Sequence, residues 1–169
     1  MDILENIGIK KVFTKIDLKW EYNNVWIKEE DEWKAALMIS EGSFELMVMF
    51  FELTNSLATF QTMMNETPQD LINTGKVASF IDDIIIGTKE EKGYNEIVEE
   101  VVKRLVENDL YVEPEKCKWK VKKVGFLEVI IGLEEIKMKE EKVKDILDWP
   151  TLKEVKDVQK FLELSNYYH

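Results

Sequence analysis

The chain reads as an α+β domain, and three features of the sequence predict it. Apolar runs with the length and β-branched content of strands are joined pairwise by short turns. Between those pairs the apolar spacing shifts to helical periods, most clearly over residues 89–108. The order strand, hairpin, helix, hairpin, helix, hairpin, helices does not alternate as βαβ units do. It predicts an antiparallel sheet with helices packed on one face. At 169 residues and 45% hydrophobic, the chain is long enough for one cored domain, taken as 1–169.

In chain order, Ile3, Leu4 and Ile7 are spaced as a short amphipathic helical turn over residues 1–11, with Gly8 near its end. An apolar strand follows at 12–16 and closes on Asp17. Residues 24–28 and 33–39 read as further strands, the second turning through Glu41 and Gly42 into 43–49. There Phe44, Leu46 and Val48 alternate with Glu45 and Met47, as in a strand with one buried face. Over 54–65 Leu57, Phe60, Gln61 and Met64 share a helical side, with Thr54 or Asn55 as cap and Pro68 beyond the end. Residues 77–81 and 84–86 form the arms of a hairpin. The helix over 89–108 carries Ile97, Val98, Val101, Val102 and Leu105 at core spacing. Pro114 interrupts the chain, 119–121 is strand-like, and 125–131 is a short apolar run ending at Gly132. Two helices, 140–149 and 152–168, are broken at Pro150.

The hairpin at 77–86 holds adjacent carboxylates, Asp82 and Asp83, at its tip. Aspartate is a common turn residue, so the pair alone favours a plain turn. Asp17, at the end of a distant strand, changes the balance. Three carboxylates at strand ends suit a pair of magnesium ions about 3.5–4 Å apart, the arrangement used in phosphoryl transfer. The lone Cys117 excludes an internal disulfide and a Cys-based zinc cluster, and the only histidine is the last residue, His169, which argues against hydrolase triads. A net charge of −11 counts against a nucleic-acid partner, because phosphate affinity comes mainly from Lys and Arg. The apolar runs are too short to span a bilayer and the N-terminus lacks the pattern of a secretion signal, so the expectation is a soluble, intracellular chain without membrane partners.

The segments FTKIDLKWEY, MVMFFELTNSLATFQ, FIDDIIIG, FLEVIIG and DWPTLKEVKDVQKFLELSNYY together resemble the reverse transcriptase of gypsy-type LTR retrotransposons, nearly end to end and in order. The resemblance implies a right-hand polymerase: a lead-in helix at about 1–11, palm at 12–23 and 50–132, a partial fingers hairpin at 24–49 and the start of a thumb at 133–169. It implies RNA-directed DNA synthesis with two magnesium ions, or manganese in their place, on an RNA or DNA template with primer, using deoxynucleoside triphosphates. Asp17, Asp82 and Asp83 match the metal-binding acids, with the Leu18 carbonyl as an added ligand and Phe80 where tyrosine is usual. Tyr22 matches the residue that closes the sugar pocket, and Phe51 and Gln61 match residues near the nucleotide and template. Lys116 matches a lysine proposed to protonate pyrophosphate, and Phe126, Leu127 and Glu128 lie in the hairpin that grips the primer. The simpler readings are core packing for Tyr22, a satisfied helix neighbour for Gln61 and an exposed structural lysine for Lys116. The remaining fingers, thumb, RNase H and integrase regions of a parent polyprotein are implied partners, in a cytoplasmic element particle or the nucleus.

The chain departs from that pattern where the family has glycine: Glu21, Glu52, Asp109, Glu128 and Glu163 stand there, each one G-to-A codon change away. Leu57 for proline and Tyr94 for histidine fit the same transition class. This pattern predicts a mutationally decayed copy, and reversing five acids to glycine would move the charge from −11 to −6. Two alternatives remain open at this level: a catalytically dead remnant or interaction module, and an unrelated acidic domain that binds calcium or magnesium.

Overall fold

A computed structural model describes residue 7, residues 10–133 and residues 135–167. The side chains of Glu21, Leu164, Asn166 and Tyr167 are outside that description, and so is most of the helical turn expected at 1–11.

The central strand is β1 (Val12–Lys19). After a 3-10 turn at Glu21–Asn24 and another at Glu32–Ala35, β2 (Ala36–Ile39) and β3 (Gly42–Glu45) form a separate hairpin. The strand expected at 24–28 is thus reduced to a single bridge, Trp26 with Val48. Every residue of β3 is exposed, Phe44 included, because among the described residues no further layer covers this hairpin. The expected burial of one face applies only beyond it, where Leu46 and Val48 are half-buried.

Helices α1 (Ser56–Glu66) and α2 (Gln69–Asn73) lead into the hairpin β4 (Val77–Phe80) and β5 (Asp83–Thr88). Helix α3 (Tyr94–Glu107) begins only after Gly93, whose φ of 78° supplies the turn into it. The short β6 (Tyr111–Val112) and β7 (Lys118–Val121) then pair with β1. The apolar run at 125–131 resolves into two strands, β8 (Lys123–Phe126) and β9 (Val129–Gly132), and β10 (Glu135–Met138), which the sequence pattern missed, completes a second sheet. Helices α4 (Glu140–Leu147) and α5 (Val155–Tyr167) flank Pro150 as expected.

The main sheet has five strands, with β1 antiparallel to β5 on one edge and to β6 and β7 on the other. Its two faces are covered differently. Ile16, Leu18, Ile84 and Ile86 pack with Phe60 and Met64 of α1 and with Val101 and Leu105 of α3. Phe13 and Ile85 point the other way and pack with Val124, Phe126 and Ile131 of the second sheet. The unbroken Ile84–Ile86 run follows directly, since a strand buried on both faces has no polar side to alternate with. Helices therefore cover one face, as predicted, and a three-stranded sheet covers the other.

Candidate metal centre

Strand alternation sets the direction of each acid. Because Ile16 and Leu18 face the helices, Lys15 and Asp17 face the second sheet with Phe13. The register of β1 on β5 places Asp17 directly opposite Asp83, and Lys15 opposite Ile85. Asp82 lies in the two-residue turn between β4 and β5, where Phe80 pairs with Asp83. One carboxylate oxygen from each of Asp17, Asp82 and Asp83 lies within 4.8 Å of the others. Residues more than sixty positions apart in sequence thus meet at one point.

The backbone around the acids is tied down. The Leu18 N–H donates to the Asp82 carbonyl at 3.1 Å, and the Glu113 N–H donates to the Asp17 carbonyl at 2.9 Å. Ile81, first residue of the turn, has a φ of 54°, which is costly for a β-branched side chain. Gln61 on α1 secures that conformation. Its Oε1 accepts the Ile81 N–H at 2.8 Å, while its Nε2 donates to Asn65 Oδ1 at 2.9 Å and to the Ser79 carbonyl at 3.4 Å. Ser79 in turn donates to the Met64 carbonyl at 3.1 Å and lies 3.2 Å from Asn65 Oδ1.

The electrostatics call for a cation. Two unit charges about 5 Å apart repel by about 3 kcal/mol at an effective dielectric of about 20. Lys15 offsets part of this, its ammonium 2.7 Å from Asp83, with each side chain 21% exposed. Lys116 lies 3.9 Å from Asp17 and 2.6 Å from Glu113. Even so, burial pushes the Asp83 carboxyl above its ordinary value against the Lys15 contact, and burial raises Asp17 against Lys116 and Lys15. Burial likewise raises the Cys117 thiol, whose sulfur accepts the Asp17 N–H at 3.4 Å. Three partly desolvated carboxylates with no imidazole or thiolate among them are a hard oxygen set, which fits magnesium, manganese or calcium.

The other expected residues fall at varied distances from the centre. Phe126, Leu127 and Glu128 line one cleft of about 250 Å³ with Lys15, Asp82 and Asp83. Leu127 and Glu128 form the β8–β9 turn, with φ of 48° and 65°. Leu18 is buried in the core and pairs with Val112. Tyr22 packs its ring on Phe60 at 5.4 Å between centroids. Phe51 stands exposed on the turn before α1, as does Glu52, which is not a member of the acid cluster. Tyr94 is buried, shares a hydrogen bond with Thr14 and accepts the Lys120 N–H at 3.0 Å. Neither Lys15 nor Lys139 belongs to a motif that marks it, although Lys15 lies two residues before Asp17 and so shares its strand face. Lys139 sits in the cleft through folding of distant segments, for which local sequence carries no signal.

Residues 1–131 match the family described as reverse transcriptase (RNA-dependent DNA polymerase). Relatives include the Retrovirus-related Pol polyprotein from transposon gypsy of Drosophila melanogaster, 31% identical over 167 residues, covering 98% of this chain and 16% of that protein. The transposon 297 polyprotein of the same fly is 32% identical over 167 residues, covering 99% and 16%. The Tf2-3 polyprotein of Schizosaccharomyces pombe is 29% identical over 165 residues, covering 98% and 12%. The chain thus spans less than a fifth of each of these polyproteins. In fold it is similar to the foamy viral protease-reverse transcriptase solved with an RNA/DNA hybrid, at a TM-score of 0.81 and 22% identity over 98% of this chain and 22% of that one. The form of that protein solved with double-stranded DNA has a TM-score of 0.85 and 20% identity, covering 99% and 30%.

Proposed function

Because the chain belongs to the reverse transcriptase family, we propose that it carries the catalytic carboxylates of an RNA-directed DNA polymerase from a gypsy-type retrotransposon polyprotein. The observation that carries this reading is the meeting of Asp17 with Asp82 and Asp83 within 4.8 Å. In it, residues 12–23 and 50–132 form the palm, 24–49 part of the fingers, and 133–169 the start of the thumb. The ligands are a primed RNA or DNA template and deoxynucleoside triphosphates.

The reaction joins the primer 3′-oxygen to the α-phosphorus while the bond from that phosphorus to the bridging oxygen breaks, releasing pyrophosphate. Asp17, Asp82 and Asp83 would hold the divalent ions, which would supply a more acidic hydroxyl and charge neutralisation at the departing oxygen. The work of the chain is positioning. Asp17 and Asp83 are held opposite one another by strand register, and the turn bearing Asp82 is held by the Leu18 and Gln61 hydrogen bonds. Gln61, with its amide committed to Ile81, Asn65 and Ser79, acts by supporting this turn. The Leu18 carbonyl is the proposed backbone ligand, Tyr22 the guard against a 2′-hydroxyl, Phe51 a nucleotide contact and Lys116 the proton donor to pyrophosphate. The hairpin of Phe126, Leu127 and Glu128 borders the primer end.

A second reading, an inactive remnant, is favoured by Glu128, which places an acid in the cleft at a φ that suits glycine. Asp109, at a φ of 55°, is the other proposed glycine loss with a left-handed backbone. Extension of oligo(dT) on poly(rA), with Asp82→Asn as control, separates the two. Incorporation above the control supports the polymerase, and none above it leaves the remnant.

A further inference from the structure

We propose that Lys139 is the contact for the phosphodiester next to the primer 3′ end, and that Glu128 competes with the nucleic acid for it. The inference rests on the polymerase reading. A strand that delivers its 3′-oxygen to Asp82 and Asp83 would thread the cleft those acids share with the β8–β9 turn, which would put its last phosphate within one nucleotide of them. Two cations line that cleft, Lys15 and Lys139. Lys15 is committed to Asp83 at 2.7 Å on the acid side. Lys139 lies just ahead of α4 and is tied to the β8–β9 turn, its own N–H donating to the Glu128 carbonyl at 3.4 Å.

Glu128 holds this cation and a second one. Its Oε1 lies 3.3 Å from the Lys139 ammonium and its Oε2 lies 3.6 Å from that of Lys142. Lys139 and then Lys142 hold the Glu128 carboxyl below its ordinary value, so it is ionised at neutral pH. All three side chains are between 36% and 40% exposed, a setting in which ion pairs are weak and screened by salt. A phosphate offers the same ammonium a charge-assisted hydrogen bond, but must approach it past the Glu128 carboxylate. In a chain of net charge −11, sequestering a cation at the primer end weakens phosphate binding.

The test is fluorescence anisotropy of a labelled primer–template duplex across a salt series, with the chain and its variants first shown to melt alike. Glu128→Gln leaves the backbone unchanged and removes only the charge. It is expected to tighten binding about three- to tenfold at low salt and to steepen the slope of log K against log[salt] by about one. Lys139→Ala in the Glu128→Gln background is expected to abolish both gains. Gains that survive the double substitution overturn the inference, because they come from loss of a repulsive charge or from release of Lys142 and not from Lys139. Unchanged binding in Glu128→Gln overturns it too. Absence of duplex binding in every variant removes the polymerase reading and this contact with it.

Discussion

Replacing Gln61 by leucine tests whether the acid turn is held from α1. The side chain is nearly isosteric, but the Ile81 N–H, now 2.8 Å from Gln61 Oε1, loses its acceptor. An orphaned buried amide costs about 1–3 kcal/mol, and Ile81 is half-buried, so about 1–2 kcal/mol is the working figure. The bond to Asn65 is exposed and the one to the Ser79 carbonyl is long at 3.4 Å, so neither adds much. For a chain of this length each kcal/mol shifts the melting midpoint by about 2–4 °C, giving a fall of about 2–8 °C. Gln61→Glu keeps an acceptor for Ile81 and should lose less than half as much. Thermal melts of both variants, with and without manganese, provide the assay. Since Ile81 carries a φ of 54°, release of the turn should also weaken manganese affinity in the leucine variant. A Gln61→Leu protein that melts within about 1 °C of the parent and binds manganese equally well would show that α1 does not hold the turn.

Two further outcomes follow from the site. The folded-state pKa of Asp83 is raised by burial, so the metal-free fold binds more protons than the unfolded chain just above the ordinary carboxylate range, and this group's contribution to stability falls as pH rises through that window. Asp83→Asn should therefore melt higher than the parent in chelator at about pH 7, with the gap closing toward about pH 4; a gap that widens on acidification contradicts the shift. At Glu128, comparison of glycine with glutamine isolates the backbone, because both remove the ion pairs. A left-handed L-residue costs about 1–2 kcal/mol and glycine's flexibility returns about 0.5–1, so the glycine variant should be the more stable by about 0.5–1 kcal/mol in urea melts.

What was legible in the sequence was whatever local periodicity and chemistry encode. Helix α3 and the strand pair around Asp82 and Asp83 were readable because their apolar spacing is strong, and the motif series identified the family and fold. The 24–28 segment misled because its apolar residues, including Trp26, at 72% exposed, have strand character without a sheet to join. Periodicity alone reads 125–131 as one apolar run, and the hairpin there comes only from the family resemblance, because Leu127 and Glu128 adopt left-handed backbones without a glycine or asparagine to announce the turn. The motifs mark the acids and Lys116, which lies 3.9 Å from Asp17, but not Lys15 or Lys139. Lys15 on Asp83 and Lys139 on Glu128 are set by strand facing and by the second sheet, which no single segment reveals.

The polymerase reading turns on whether Asp17 shares one cation site with Asp82 and Asp83, whose carboxylates it meets within 4.8 Å. Calorimetric titration of manganese into the chain and its Asp17→Asn variant tests it most directly, with a melt of each to confirm folding. The account predicts saturable binding in the parent that falls at least tenfold in Asp17→Asn, as it does in Asp83→Asn. Manganese binding that survives Asp17→Asn unchanged while Asp83→Asn abolishes it would contradict the account.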